Sequence, residues 1–110
     1  MERHIIQVRE DKTVDSVENL QPGHILLFET FNSKSLITRI NEDNTLNTIG
    51  RRTGWGREWI NEFKLYVNEI SGNYQVDHSI MDMNRVYYKH RGGDKQKYLE
   101  LNQRLIGAGL

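Results

Sequence analysis

The densest apolar run in this chain is short, His24-Ile25-Leu26-Leu27-Phe28, and it follows directly on the turn that holds the sole proline, Leu20-Gln21-Pro22-Gly23. A block so short and so abruptly bounded is too small for a helix of ordinary length, so it reads as a buried strand. The Pro-Gly pair before it suits the centre of a type II turn, with proline presetting φ at the second position and glycine accepting a positive φ at the third. No run approaches the roughly 18 apolar residues of a membrane helix. The opening Met1-Glu2-Arg3-His4 also lacks the apolar stretch of a secretion signal. The expected setting is therefore cytoplasmic, with no membrane partner.

Around that strand the chain divides into short pieces. His4 to Val8 reads as a strand, and Asp11 to Glu18 as a charged connection with one helical turn capped by Asp15 or Ser16. Phe31 to Lys34 makes a turn into Leu36-Ile37-Thr38-Arg39-Ile40, whose β-branched residues suit an antiparallel neighbour. Asn41 to Asn44 ends it, Leu46 to Ile49 is a further strand, and Gly50, Gly54 and Gly56 are expected to break regular structure. Phe63, Leu65 and Val67 alternate with polar neighbours, giving a strand that turns at Ser71-Gly72-Asn73 into Tyr74-Gln75-Val76.

From Ser79 the period changes. Ile80, Met83, Val86, Tyr87 and His90 stand three and four apart, which predicts a helix capped by Asp77 or Ser79 and stopped by Gly92-Gly93. A second helix is expected from Asp94 as N-cap through Tyr98, Leu101 and Leu105, ended by Gly107 and Gly109. The expectation is one α+β domain over residues 1–110: a small antiparallel β-sheet or partly open barrel of five to six strands, followed by two short C-terminal helices.

Composition narrows the chemistry. The 110 residues hold no cysteine, which removes disulfide scaffolds, cysteine-zinc sites and thiol nucleophiles together. A chain of this length builds a modest core, so a homo-oligomer is expected to help it. Fifteen basic residues balance fifteen acidic ones, yet residues 1–50 carry a net charge of minus three and residues 51–110 plus three. The second half attracts anions, and its basic residues gather in two clusters.

The first cluster is Arg51-Arg52-Thr53-Gly54-Trp55-Gly56-Arg57, with Trp59 close behind. Guanidinium forks match phosphate oxygens bidentately, glycines let backbone amides approach a ligand, and indoles stack on bases. The competing explanation is a solvated arginine-rich hairpin whose tryptophans belong to the core. Its glycines follow neither a phosphate-loop nor a dinucleotide spacing. The second cluster, around Tyr88, Lys89 and Arg91, puts cations where a helix C-terminus favours them and beside a helix start that can hold an anion. The expected ligand-binding residues are thus Arg51, Arg52, Trp55, Arg57, Trp59, Tyr88, Lys89 and Arg91.

His4, His24, His78 and His90 are scattered without ligand spacing. Asp77, His78 and Asp82 could group as hard ligands, but a helix N-terminus attracts carboxylates by itself, so no metal is implied. Nothing points to a cofactor, and no nucleophile, base and oxyanion donor fall together, so no catalytic residue is named and an enzyme is not expected. Leu20 to Phe28 followed by Ser35 to Ile40 resembles the opening of permuted papain-like hydrolases over about twenty residues. His24 stands where that family has Asp, its Ser-His-Val segment is missing, and there is no cysteine nucleophile. The resemblance therefore implies a shared turn-to-strand opening and no hydrolytic chemistry.

The leading expectation is a non-catalytic protein that sequesters a small phosphate-bearing ligand, a nucleotide or cyclic nucleotide, as small phage anti-defence proteins do. Two alternatives stand beside it. One is single-stranded nucleic-acid binding, against which zero net charge counts. The other is a protein-interaction or inhibitor module anchored by exposed aromatics.

Overall fold

A computed structural model describes residues 5–15, 20–30, 32–70 and 73–110. The strands are β1 (Ile5–Val8), β2 (Thr13–Val14), β3 (Ile25–Phe28), β4 (Ser33–Ile40), β5 (Leu46–Gly54), β6 (Arg57–Ile70) and β7 (Asn73–Tyr88), and α1 (Lys95–Gly107) follows. All seven lie in one sheet, ordered β1-β3-β4-β5-β6-β7-β2. Each neighbouring pair is antiparallel except β1 with β3. The two edge strands are consecutive in the chain and joined by a tight turn in which the Arg9 amide donates to the Thr13 carbonyl at 3.1 Å. Joining the edges this way curls the sheet into a nearly closed barrel, which removes the unpaired rim that invites aggregation.

That turn has a twin. Glu10-Asp11-Lys12-Thr13 and Glu42-Asp43-Asn44-Thr45 place Lys12 and Asn44 at φ 71 and 65. In both, the fourth residue of the string donates its amide and its hydroxyl to the aspartate. A turn closed by a left-handed residue matches the right-handed twist of the flanking strands. The Thr hydroxyl is the main cause of the lowered pKa of Asp11, and likewise of Asp43. The Pro22-Gly23 turn has Gly23 at φ 93, and the His24 amide donates to the Gln21 carbonyl at 3.1 Å, as a type II turn requires.

Strand alternation sorts the apolar residues into two cores. Ile6, Val8, Leu26, Phe28, Ile37, Leu46, Leu65 and Val76 fill the barrel, and Leu20 and Val14 join them. Ile25, Leu36, Ile49 and Ile60 point outward, where Tyr98, Leu101 and Leu105 of α1 cover them. The helix is thus a plug for one outer face of the sheet. Asp94 stands at its N-cap position without a side-chain capping bond.

The structure overturns the α+β expectation: the described residues are mostly β, with seven strands rather than five or six and one helix rather than two. The segment read as the first helix is the second half of β7. Its pairing with β6 slips twice, between Glu62 and Phe63 and between Leu65 and Tyr66. At the first slip Arg85 and Met83 face successive residues of β6, leaving Asn84 extra; at the second Met81 and Asp77 do, leaving 78–80 extra. Bulges break a period of two, so the apolar spacings became three and four and imitated a helix. Asp77, expected as a cap, is instead a buried strand residue 3.1 Å from the Lys12 ammonium. The connection after Asp11 is likewise not helical at its start, because Thr13–Val14 pairs with β7; Ser16, the other candidate cap, lies outside the described residues, as do His4, Phe31 and the Ser71-Gly72 turn.

Nor do the glycines at 50 and 54 interrupt regular structure; of the three, only Gly56 does, in the turn between β5 and β6. β5 and β6 pair without a slip from Leu46↔Leu65 to Gly54↔Arg57. Gly50 is buried in the ladder, and a Cβ there would meet the Ser35 hydroxyl at 3.4 Å. The molecule is elongated, 47 × 31 × 27 Å.

Candidate functional site

A regular ladder decides which members of the first basic cluster can meet. Along β5, residues 46, 48, 50, 52 and 54 share one face and 47, 49, 51 and 53 the other. Arg51 therefore points to the helix side. Its Nε and Nη2 donate to Asn102 Oδ1 at 2.9 and 2.6 Å, and its Nη1 donates to the Leu110 carbonyl at 2.7 Å. The guanidinium fastens the far end of α1 to the sheet. Arg52 lies on the opposite face and folds back, donating from Nη1 to the Arg51 carbonyl at 3.0 Å.

Trp55 and Gly56 form the two-residue turn between β5 and β6, with φ 47 and 73. Positive φ at both central residues marks a type I′ turn, where Asn and Gly are the favoured residues. The Trp55 side chain is 99% exposed at this tip. Trp59 behaves differently: it is half-buried, opposite Arg52, with its ring laid over Gly54, where a Cβ would approach Cη2 to 3.2 Å.

Trp59 pairs across the sheet with Tyr88, their ring centroids 6.0 Å apart at 47°. Beside them Arg57, Glu58, Tyr88, His90 and Arg91 line a cleft of about 430 Å³. The Arg91 guanidinium carbon stands 5.6 Å from the Tyr88 ring centroid, within cation–π range. Among the described residues neither Arg57 nor Arg91 forms an ion pair, although Arg91 is close enough to Asp94 to help lower its pKa. Lys89 sits 2.8 Å from Glu58, neutralising the carboxylate that lines the cleft. That bond is the main reason the Glu58 pKa is lowered and the Lys89 pKa raised. The cleft is therefore biased toward anions, and its volume falls within the range of small-molecule sites.

Behind the cleft, Asp94 fixes the end of β7. Its Oδ2 accepts from the Tyr88 amide at 3.2 Å, and its Oδ1 accepts from Arg85 Nη2 at 3.0 Å. The Tyr88 amide bond is the leading cause of its lowered pKa, with Arg85 adding to it. The position chosen from sequence as a helix cap is thus the post on which Tyr88 hangs.

Of the eight residues expected to bind ligand, Arg57, Tyr88 and Arg91 line the cleft, Trp59 backs Tyr88, and Lys89 holds Glu58 at the rim. Arg51, Arg52 and Trp55 do not join them. Glu58 and His90 line the cleft and were not among the residues expected to bind ligand; only the pairing of β6 with β7, beginning at Trp59↔Tyr88, brings them together. The side chains of His78 and Asp82, two of the three hard ligands considered with Asp77, lie outside the described residues. Among the described residues no group of three His, Asp or Glu side chains is placed to hold a metal ion. Among them, too, no helix is long and apolar enough to cross a membrane. Comparison with protein-family models, with curated proteins and with solved structures gives no match.

Proposed function

We propose that the protein captures a small phosphate-bearing aromatic ligand, a nucleotide or cyclic nucleotide, in the cleft between the start of β6 and the end of β7. One observation carries this reading: two guanidinium groups that form no ion pair among the described residues converge with an aromatic ring on one cavity of about 430 Å³. Arg57 and Arg91 supply forks for phosphate oxygens, and the Tyr88 ring offers a stacking face backed by Trp59. Such ligands belong to the cytoplasm, and the reading is one of capture without turnover.

Calorimetry against mononucleotides and cyclic dinucleotides tests it, with recovered ligand checked by chromatography for integrity. Hydrogen bonds to charged groups contribute about 1.5–3 kcal/mol, so Arg57→Ala or Arg91→Ala raises Kd by roughly 10- to 150-fold. Arg51→Ala is the internal control: it loosens α1 and lowers the melting temperature while leaving Kd within about twofold, since its donors are directed at Asn102 and Leu110. No heat at millimolar ligand, or a Kd indifferent to both cleft arginines, overturns the reading. Affinity that instead grows with oligonucleotide length and falls steeply with salt assigns the surface to single-stranded nucleic acid.

A further inference from the structure

The Trp55 tip lies outside that cleft, and it is costly in two ways. Its backbone occupies a left-handed region that a bulky residue enters at about 1–3 kcal/mol, and its indole is left almost wholly in water. The hairpin beneath it is stiff, because the β5–β6 ladder is unbroken to Gly54↔Arg57 and the Trp59 ring braces Gly54. A large aromatic held out on a preorganised support loses little entropy on docking, the property of a binding anchor.

A receptor for it exists at the other end of the molecule. Leu20, Ile40, Leu46, Val67, Tyr74 and the acidic Glu69 line a second cavity, also of about 430 Å³. Leu46 and Leu20 are buried at its base, while Ile40 is 38% exposed and Glu69 is exposed. The strand β6 runs from Arg57 beside the tip to Glu69 at this cavity. That span corresponds to roughly 40 Å at strand rise, so a protomer cannot fill its own pocket.

Charge is divided along the same axis. Arg52, Arg57 and Arg91 stand toward the tip, whereas Glu42 and Asp43 in the β4–β5 turn and Glu69 stand toward the pocket, where the exposed Arg39 beside Ile40 opposes them in part. Asp43 is partly compensated by Lys64 at 3.6 Å, while Glu69 has no ion-pair partner among the described residues. Tip and pocket thus complement each other in shape and sign, and neither can close on itself.

We infer that the protein self-associates tip to tail: Trp55 of one copy enters the Leu20/Ile40/Val67 cavity of a second, with Arg57 beside it facing Glu69. The contact is between unlike surfaces, so it closes as a reciprocal antiparallel pair or extends as a chain.

Sedimentation velocity on ligand-free protein from 5 to 300 μM, taken here as about the useful range for weak assembly, tests the inference with two single variants. Trp55→Asn keeps the pocket and removes the anchor; Ile40→Arg keeps the anchor and puts a cation at the pocket mouth. Wild type is expected to gain mass with concentration, and each variant alone to shift the association constant at least tenfold toward monomer. Mixed, the two variants recover association through the one intact tip and the one intact pocket, giving a heteromer with one copy of each. Glu69→Arg weakens association, and pairing it with Arg57→Glu restores it, an exposed charge swap that does not depend on the core. A monomeric wild type across the range, a Trp55→Asn variant that assembles like wild type, or a mixture that stays monomeric overturns the inference. The Trp55 and Ile40 variants leave every residue of the cleft in place, so their outcomes are independent of nucleotide affinity, whereas Arg57→Glu alters the cleft as well.

Discussion

Replacing Trp55 by Asn should make the isolated fold more stable while removing its largest exposed aromatic. The indole is 99% exposed, so its loss forfeits almost no packing. Its φ of 47 lies in the left-handed region, where a bulky residue costs about 1–3 kcal/mol and Asn costs much less. Asn is also the favoured residue at the first central position of a type I′ turn. The net gain is about 1 kcal/mol, equivalent to a rise of about 4–8 °C in melting temperature for a domain of this size. Gly at the same position relieves the same strain but gives back roughly 0.5–1 kcal/mol through a more disordered unfolded chain, so it should fall between wild type and Asn. Ala, which does not welcome the left-handed region, should gain nothing. The assay is thermal unfolding followed by far-UV circular dichroism at a few micromolar, where association contributes least. An Asn variant that melts at or below wild type refutes the reasoning, because the indole must then be making contacts that steady the fold.

Two further perturbations probe the interior and the end of β7. Thr48 is fully buried with its hydroxyl unpartnered among the described residues, so Thr48→Val should stabilise by about 1 kcal/mol and move the urea midpoint up by about 0.3–1 M; a lower midpoint would show that the hydroxyl has a partner. Asp94 has its pKa lowered by the Tyr88 amide and Arg85, so the folded state binds its proton less readily than the unfolded chain. Its contribution is then complete above the ordinary aspartate value near 4 and is lost as pH falls through the lower folded value. Asp94→Asn should flatten the acid side of the stability curve and lower stability at neutral pH. An unchanged acid limb would mean that other carboxylates, such as Asp11 and Asp43, carry the acid sensitivity.

The parts of the fold that could be read from sequence are those decided by neighbours in the chain. Pro22-Gly23, the run from Ile25 to Phe28 and the stretch from Asp94 to Gly107 each carry their own local physics, and each forms the expected element. β7 could not be read this way, since its bulges are set by β6 and only the pairing explains why its apolar residues lose their alternation. The turn joining β1 to β2 was legible but unread: the Glu-Asp-x-Thr string at 10–13 recurs at 42–45, where a strand on each side makes its meaning plain. The candidate site divides in the same way. The sequence brought Arg51, Arg52 and Arg57 together as one basic loop, but a strand sends successive residues to opposite faces, so Arg51 went to the helix and Arg57 to the cleft. Arg57 and Arg91 were both nameable as anion ligands from residue type, whereas their meeting depends on the long β6–β7 hairpin.

The closure of the sheet also dictates an order of events during biosynthesis. β2 can engage β7 only at Thr13↔Gln75 and Val14↔Tyr74, so it stays unpaired until β7 has been made, whereas β1 needs only β3. Such remote pairing is reached slowly, on the millisecond-to-second scale typical of small β-barrels. Meanwhile Ile6, Val8 and Val14 are without the wall they will pack against, and this nascent interval, rather than the finished barrel, is when the polypeptide is most open to capture by a chaperone.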